Sequence, residues 1–376
     1  MRERFLLIMV LFIGLSACHS NKPRDTVPGA GNRYALGFRT SSGNGVTRLS
    51  VLNPWEKASG VEINYYLIDR NSKVPDSLSE QNVIRIPVKK IICLSTSHLA
   101  FLDEIRELDK VTGISGAPYV SNAYIRERVE KGVIRDVGYG QNLNYEEIIS
   151  QKPDMVMVYG VDSEIAGFLG KFRDLGIPAV INAEYLESTP LGKAEWIKFT
   201  GAFFNKSELA DSLFRETEQR YNELVHRASH ATSRPGVMVG LPYRDAWWVP
   251  GGNSYMAQLI RDAGGKYVAG HNPSHESFVI SMEDAINLSA QATVWINNGM
   301  VTEKSEILTS DSRFANFPLF SKGRIFNNNK RMTEGGGMDF WESGTTHPDL
   351  VLKDLIQIFH PGLLPADSLT YYQEIR

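Results

Sequence analysis

The feature that most constrains the fold is a long stretch near the middle of the chain with neither glycine nor proline. It runs from Asn205 to Ala231, and its apolar residues recur at the spacing of one helix face. Asn205, with Glu208 three residues later, predicts a capping box at its start. At 1.5 Å per residue this helix would be roughly 35–40 Å long. Because one small lobe needs no helix of that length, we expect it to join two lobes.

Short apolar segments alternate with amphipathic ones on both sides of that helix. The strand candidates are residues 91–94, 113–115, 155–158 and 179–181 before it, and 237–241, 293–296 and 324–326 after it. This alternation predicts parallel βα units. We therefore predict an α/β fold in which two Rossmann-like lobes with parallel sheets, residues 89–204 and 232–376, are joined by a single backbone helix, residues 205–231.

A weak internal repeat supports two related lobes. Residues 144–158 and 281–295 both read as a helix N-cap, two acidic residues, a short helix, a turn and a buried strand. Few residues are identical, so each segment alone is a weak signal. Their placement on either side of the long helix makes the pair more informative.

Residues 33–88 have the alternating pattern of strands and form a predicted β-rich extension. Val46–Val51 follows a turn predicted at Ser41–Gly45, and Val61–Ile68 is a further strand candidate. The pattern predicts a structure for this extension and assigns it no role.

The first 32 residues predict export and anchoring. Arg2 and Arg4 precede an apolar run that is too short to span a bilayer, and small residues then precede Cys18. This resembles a bacterial lipobox, which implies a signal peptide at 1–17, acylation of Cys18 and a tether at 18–32. The alternative is a plain secretory signal in which the cysteine is incidental. We expect a membrane-anchored lipoprotein on the periplasmic face of a bacterial envelope, with the membrane and leaflet left open.

Composition and motifs exclude several classes of function. A formal net charge of −3 predicts no nucleic-acid surface. The second cysteine, Cys93, lies in an apolar strand and is expected in the core. No Gly-x-Ser-x-Gly, P-loop or HExxH run occurs; the nearest candidate, at Gly252, lacks the last glycine. We therefore do not expect an enzyme.

The chain resembles the siderophore, haem and cobalamin binding proteins of ABC importers over about residues 87–365. The resemblance depends on residues 91–102 (IICLSTSHLAFL), 136–159 (DVGYGQNLNYEEIISQKPDMVMVY), 176–180 (GIPAV), 250–265 (PGGNSYMAQLIRDAGG) and the segment around Glu283. It implies a monomeric lipoprotein that passes a metal chelate to a permease dimer with its ATPase subunits.

The resemblance leaves the ligand open among a ferric siderophore, haem and a corrinoid. No resident cofactor is expected, because iron or cobalt would belong to the ligand. The alternatives are a surface lipoprotein that scavenges haem or corrinoid without an ABC partner and, behind it, an exported α/β enzyme.

Glu146 and Glu283 are the sharpest candidates for a role. Each is the second residue after a predicted N-cap, and Glu147 and Asp284 at the third position are expected to complete the cap. Such acids can simply complement the helix dipole. The resemblance implies instead that one surface glutamate per lobe docks with arginines of the permease.

Ligand contacts are expected in the loops that follow the strands, since parallel sheets place their sites at the carboxyl ends of the strands. Aromatic rings would cover the apolar faces of a large chelate, and a cation would meet its negative charge. The candidates are His98, Tyr119, Tyr159, Trp247, Asn298, Arg331 and Trp341. Of Trp247 and Trp248, one is expected to face the core.

Histidines do not predict a site for a free metal ion. His98 could occupy an axial position on haem or a corrinoid, but the strand-end loops offer no second histidine. His226 and His230 have chelating spacing on the long helix and lack a third ligand. His271 and His275 share that spacing, but Pro273 breaks the helical geometry.

Overall fold

A computed structural model describes residues 31–78, 82–242 and 246–376 of the chain. The chain begins with a four-stranded sheet in the order β1-β2-β3-β4. Its strands are β1 (Phe38–Gly43), β2 (Val46–Leu52), β3 (Glu62–Asp69) and β4 (Val83–Ile86). Gly43 pairs with Val46, so the predicted hairpin turns at Asn44-Gly45, where both residues have positive φ angles.

The first lobe is built on a parallel sheet in the order β7-β6-β5-β8-β9. Its strands are β5 (Ile91–Cys93), β6 (Val111–Ile114), β7 (Arg135–Asp136), β8 (Met155–Val158) and β9 (Ala179–Ile181). Its helices are α1 (Thr96–Glu104), α2 (Ala123–Glu130), α3 (Tyr145–Gln151) and α4 (Ile165–Asp174). Cys93 is buried and free, as the apolar context predicts.

Two helices connect the lobes, and only the second is expected from the sequence. The first, α5 (Pro190–Ala202), is buried on almost every side and therefore lacks an amphipathic pattern. The second, α6 (Ser207–Ser229), is the long backbone helix. The predicted capping box is wrong, because Asn205 adopts a left-handed conformation and Lys206 occupies the N-cap without a side-chain hydrogen bond.

The second lobe has a sheet in the order β12-β10-β14-β15-β16, and only β16 is antiparallel in it. A separate antiparallel ribbon pairs β11 with β13. The strands are β10 (Gly236–Val239), β11 (Trp247–Val249), β12 (Lys266–Tyr267), β13 (Phe278–Ile280), β14 (Val294–Ile296), β15 (Arg324–Asn327) and β16 (Gln373–Glu374). The helices are α7 (Tyr255–Asp262), α8 (Met282–Ser289), α9 (Lys304–Ser310), α10 (Pro318–Lys322) and α11 (Pro348–Phe359).

The internal repeat appears as two equivalent helix–strand pairs, α3 with β8 and α8 with β14. Asn144 and Ser281 are the N-caps, and each side chain accepts the backbone N–H three residues later. Asp284 completes a capping box in the second lobe. Glu147 does not complete one in the first, because its carboxylate instead contacts Arg135 and Gln151.

The N-terminal extension is joined to the rest of the molecule in two ways. Most of its buried apolar side chains belong to the same core as those of the first lobe. Residues 33–37 then run along α5 and α6, where buried carboxylates accept their backbone N–H groups. Glu195 binds the first three of these N–H groups, and Glu218 on α6 binds the Arg33 guanidinium at 2.6 Å. The segment therefore connects the extension to the helices between the lobes.

Candidate functional site

The two lobes meet along one edge, where residues 117–122 of the first contact residues 331–343 of the second. The Thr333 hydroxyl donates to the carbonyl of Pro118 at 2.9 Å. A Cβ at Gly335 would lie 2.4 Å from the carbonyl oxygen of Pro118. A Cβ at Gly337 would lie 1.9 Å from the carbonyl oxygen of Tyr119. Only glycine permits this approach of two backbones.

Glu342 is the most deeply buried polar contact of this edge. Its carboxylate accepts the backbone N–H groups of Ser121 at 2.8 Å and Asn122 at 2.7 Å, at the start of α2 in the other lobe. Burial raises the pKa of Glu342 to about 7, while the two N–H groups oppose that rise. Glu342 therefore titrates near neutrality while it holds the lobes together.

An ion pair also crosses between the lobes at His347. Its Nε2 lies 2.8 Å from the carboxylate of Glu104 on α1. Burial alone would lower the pKa of His347, but the hydrogen bond and charge of Glu104 raise it above the usual value. The protonated histidine is therefore favoured while the lobes are in contact.

A cavity of about 410 Å³ lies beside these contacts, between the lobes. It is lined by Ala100, Asp103, Ser121, Asn122, Ala123, Arg126, Arg331, Met332, Thr333, Asp339, Glu342 and Ser343. Arg331 pairs with Asp339 at 2.8 Å and remains half exposed. Its charge is therefore partly compensated before any ligand arrives.

Three tyrosines cluster on the first lobe, each in a loop that follows a strand. The rings of Tyr119 and Tyr139 lie 5.6 Å apart, and both are about half exposed. Tyr159 is hydrogen-bonded to Tyr139; burial and this bond raise its pKa to about 12. The cluster forms an aromatic surface with hydroxyl groups at its edge.

A buried acid and base lie next to this cluster. Glu184 accepts the hydroxyl of Ser97 at 2.7 Å, its other oxygen has no partner among the described residues, and its charge acts on Tyr159. Burial raises the pKa of Glu184 and lowers that of Lys193. The attraction between the two charges opposes both shifts. The Lys193 ammonium lies 4.7 Å from the ring centre of Tyr255 in the second lobe.

Two of the predicted ligand residues, His98 and Trp247, are buried in this structure. His98 is fully buried, neither ring nitrogen has a partner among the described residues, and burial lowers its pKa to about 3. Trp247 packs against Trp295, Phe314 and Phe317. Its neighbour in β11 is instead more than half exposed, because successive residues of a strand point to opposite faces.

Asn298 is also buried, within a network that stabilises the loops of the second lobe. Its backbone N–H donates to the side chain of Asn327, which donates in turn to the carbonyls of Gly299 and Val301. The side chain of Asn298 donates to the carbonyl of Phe326 at 3.3 Å. In this structure Asn298 supports the loops and presents no surface to a ligand.

Of the remaining predicted ligand residues, Tyr119, Arg331 and Trp341 belong to the two segments that meet between the lobes. Tyr119 touches the glycine-rich segment that leads from Arg331 to Trp341. Trp341 is half exposed and packs edge-on against Phe340, with ring centres 4.6 Å apart. Tyr159 joins this set through Tyr139.

Glu146 and Glu283 are exposed, in the first turns of α3 and α8. Within the described residues neither carboxylate has an ion-pair partner. The lipidation candidate Cys18 lies outside the described residues.

Sequence reasoning missed several residues of this region, among them Tyr139 and Glu342. Tyr139 stands between Gly138 and Gly140, just after a strand, and that pattern could have placed it with the other two tyrosines. Glu342 has no local signal, because its partners are backbone groups of the other lobe.

No group of three or more His, Cys, Asp or Glu side chains that could hold a metal ion occurs in residues 31–78, 82–242 and 246–376. In the same part of the chain, no helix is long and apolar enough to cross a membrane.

One comparison with known proteins identifies a family for this chain. The family model described as "Periplasmic binding protein" matches residues 91–333. An uncharacterised lipoprotein of Methanocaldococcus jannaschii is 28% identical over 312 residues, covering 79% of this chain and 72% of its own.

Two solved structures share the fold. A periplasmic heme-binding protein of Pseudomonas aeruginosa has a TM-score of 0.57 and 16% identity, over 77% of this chain and 98% of its own. A protein of an Fe3+-hydroxamate transport system of Saccharomonospora viridis has a TM-score of 0.53 and 18% identity, over 73% and 94%.

The family match covers more than half of the chain and contains the first central sheet and every strand of the second except β16. The fold with two lobes joined by a long helix agrees with it, and the lipoprotein relative implies an exported protein. This chain belongs to the periplasmic binding protein family.

Proposed function

We propose that this chain is the substrate-binding component of an ABC importer and that it captures a metal chelate between its lobes. The proposal rests on membership of a family of binding proteins together with the two-lobed fold. Two proteins that share the fold are described as binding heme or as part of Fe3+-hydroxamate transport, which supports a chelate as the ligand class.

The tyrosine cluster is the part of the cleft that best fits such a ligand. Tyr119 and Tyr139 offer two half-exposed rings with hydroxyl groups at their edge. Trp341 and Arg331 on the other lobe would add a ring and a positive charge. A large, flat, partly apolar chelate with anionic groups suits this combination.

The helices between the lobes favour a cleft that changes little on binding. No glycine or proline interrupts α6, which is bound to the second lobe through Arg220 and Asp349 at 2.6 Å and through Tyr221 and Asp262 at 2.6 Å. We expect only a small change in the radius of gyration on ligand binding, measured by small-angle scattering. A large change would show that the lobes hinge freely.

The ligand class can be tested directly. The protein purified from its native host should carry an absorption spectrum of haem, a corrinoid or an iron–siderophore complex. If it is colourless, titration with haemin, a ferric hydroxamate and cyanocobalamin should give saturable binding of one of them. Alanine at Tyr119 or Tyr139 should weaken that binding about thirtyfold, as for a well-buried aromatic contact. A colourless protein that binds none of the three would contradict the proposal.

Delivery would require a surface that meets the permease, and Glu146 and Glu283 are our candidates for its charged part. Replacing both with alanine should abolish uptake and leave ligand affinity unchanged. Loss of ligand binding, or normal uptake, would show that these residues do not dock.

Anchoring would place the protein at the same membrane as its importer. Cys18→Ser should release the protein from the membrane fraction without changing its thermal unfolding. Retention in membranes would rule out acylation at this residue.

A further inference from the structure

The two lobes present the same pair of side chains on equivalent helices. In α3 an exposed Glu146 is followed three residues later by Ile149, which is 43% exposed. In α8 an exposed Glu283 is followed three residues later by Ile286, which is 39% exposed. Residues three apart are neighbours on a helix surface. Each lobe therefore shows a carboxylate next to a branched apolar side chain.

A single exposed isoleucine on a protein surface needs no explanation. The coincidence here is informative, because the two segments share few residues and still place glutamate and isoleucine at equivalent positions, three residues apart. The buried residues that hold the helices down also correspond: Ile148 in α3 and Ala285 in α8. The exposed pair is therefore repeated where most of the sequence has diverged.

We propose that Ile149 and Ile286 form the apolar half of the surface that docks on the permease. Each isoleucine enters an apolar pocket beside the cationic side chain that meets Glu146 or Glu283. This inference rests on the proposed function, and it adds a contact that the two glutamates alone do not provide. The repetition fits a partner made of two like subunits, one for each lobe.

The two side chains contribute differently to binding. An ion pair at an exposed site adds little affinity, because water and salt screen it, but it orients the partners. Burying an isoleucine removes apolar area from water and so favours the complex directly. The isoleucines would then determine how long the complex lasts.

Photo-crosslinking of the full-length lipoprotein in its native cells can test the inference. Ser150 and Asn287 are exposed and directly follow the two isoleucines, so a photoreactive phenylalanine analogue there reports on the surface with little disturbance. We expect both positions to crosslink to polytopic membrane subunits of one importer. Ile149→Ser or Ile286→Ser should each lower the yield about tenfold. Ile149→Val and Ile286→Val should keep it within about twofold, as should Val133→Ser, which changes a more exposed apolar residue of the first lobe.

The outcomes separate this inference from the proposal on which it rests. Full crosslinking by the serine variants, with loss in Glu146→Ala and Glu283→Ala, would overturn the apolar contact and keep the docking glutamates. Crosslinks only to a second copy of this chain, or none to a membrane protein, would overturn both. Unchanged circular dichroism and ligand titration of the serine variants would show that a loss of yield is not due to misfolding.

Discussion

The loops at the carboxyl ends of the strands differ in kind between the two lobes. In the first lobe they carry tyrosines, and Tyr119 and Tyr139 are about half exposed. In the second lobe they carry asparagines, and Asn298, Asn327 and Asn329 are almost completely buried. Both sets are polar residues at equivalent places, and they differ in exposure.

The difference follows from the chemistry of the two side chains. An asparagine amide both donates and accepts, so it can satisfy the backbone groups of an irregular loop. A tyrosine has a large apolar ring and a polar tip, and it can face a ligand with the ring while the hydroxyl stays hydrated. A polar residue after a buried strand is thus no reliable sign of an exposed side chain.

The largest expected effect is a difference in unfolding free energy between alanine variants of Trp247 and Trp248. Trp247→Ala should lower the free energy of unfolding by about 3–5 kcal/mol, because it removes a buried ring from an aromatic cluster. Trp248→Ala should change it by less than about 1 kcal/mol, since the ring is exposed. Urea unfolding followed by circular dichroism would measure both. Equal losses of unfolding free energy in the two variants would contradict the assignment of Trp247 to the core and Trp248 to the surface.

Asn327 and Tyr139 test the comparison between the lobes most directly. Asn327→Ala removes four hydrogen bonds to backbone groups and should cost about 3 kcal/mol of unfolding free energy. Tyr139→Ala should leave the unfolding free energy nearly unchanged and lower the affinity for the chelate. The comparison would fail if Asn327→Ala were stable and lost only ligand binding.

The edge where the lobes meet gives the smallest expected effect, a dependence on pH. Opening the lobes would expose Glu342 and return its pKa from about 7 toward its ordinary 4.5, so closure takes up a proton. The favourable contribution is present at low pH and is lost as the pH rises through about 7. His347, whose pKa is also raised, acts in the same direction. The lobes should therefore open more readily at pH 8.5 than at pH 5.5.

Distances between spin labels at Val133 and Asn287 would measure this opening. Glu342→Gln stays neutral at every pH and should reduce the dependence to the part contributed by His347. Asp103, Arg126, Arg331 and Asp339 line the same cavity and are not altered in this variant, so a smaller pH dependence can be assigned to Glu342. An unchanged pH dependence in Glu342→Gln would rule out the proton uptake assigned to this residue.

Periodicity found the regular elements whose faces differ in polarity. Short apolar runs predict the central strands β5, β6, β8, β9, β10, β14 and β15, and a long uninterrupted helical face predicts α6. Periodicity does not predict β7 and β12, which have two residues each. It missed α5, which is buried on almost every side, and the antiparallel β16, whose pairing is set by a distant strand. It also misplaced the start of α6, because Asn205 takes a left-handed conformation that favours no helix cap.

The sequence by itself determined the α/β class, the two lobes with their connecting helix, and the positions of Glu146 and Glu283, since each depends on local spacing. Only the tertiary structure decided which polar and aromatic residues face outward. Trp247 and Trp248 are adjacent, and packing against an aromatic cluster of distant residues determines which of them is buried. Tyr139 and Glu342 acquire their places from residues far away in the chain, through Tyr119 and through the backbone of Ser121. Exposure and contacts between lobes are properties of the packed chain, and no local pattern encodes them.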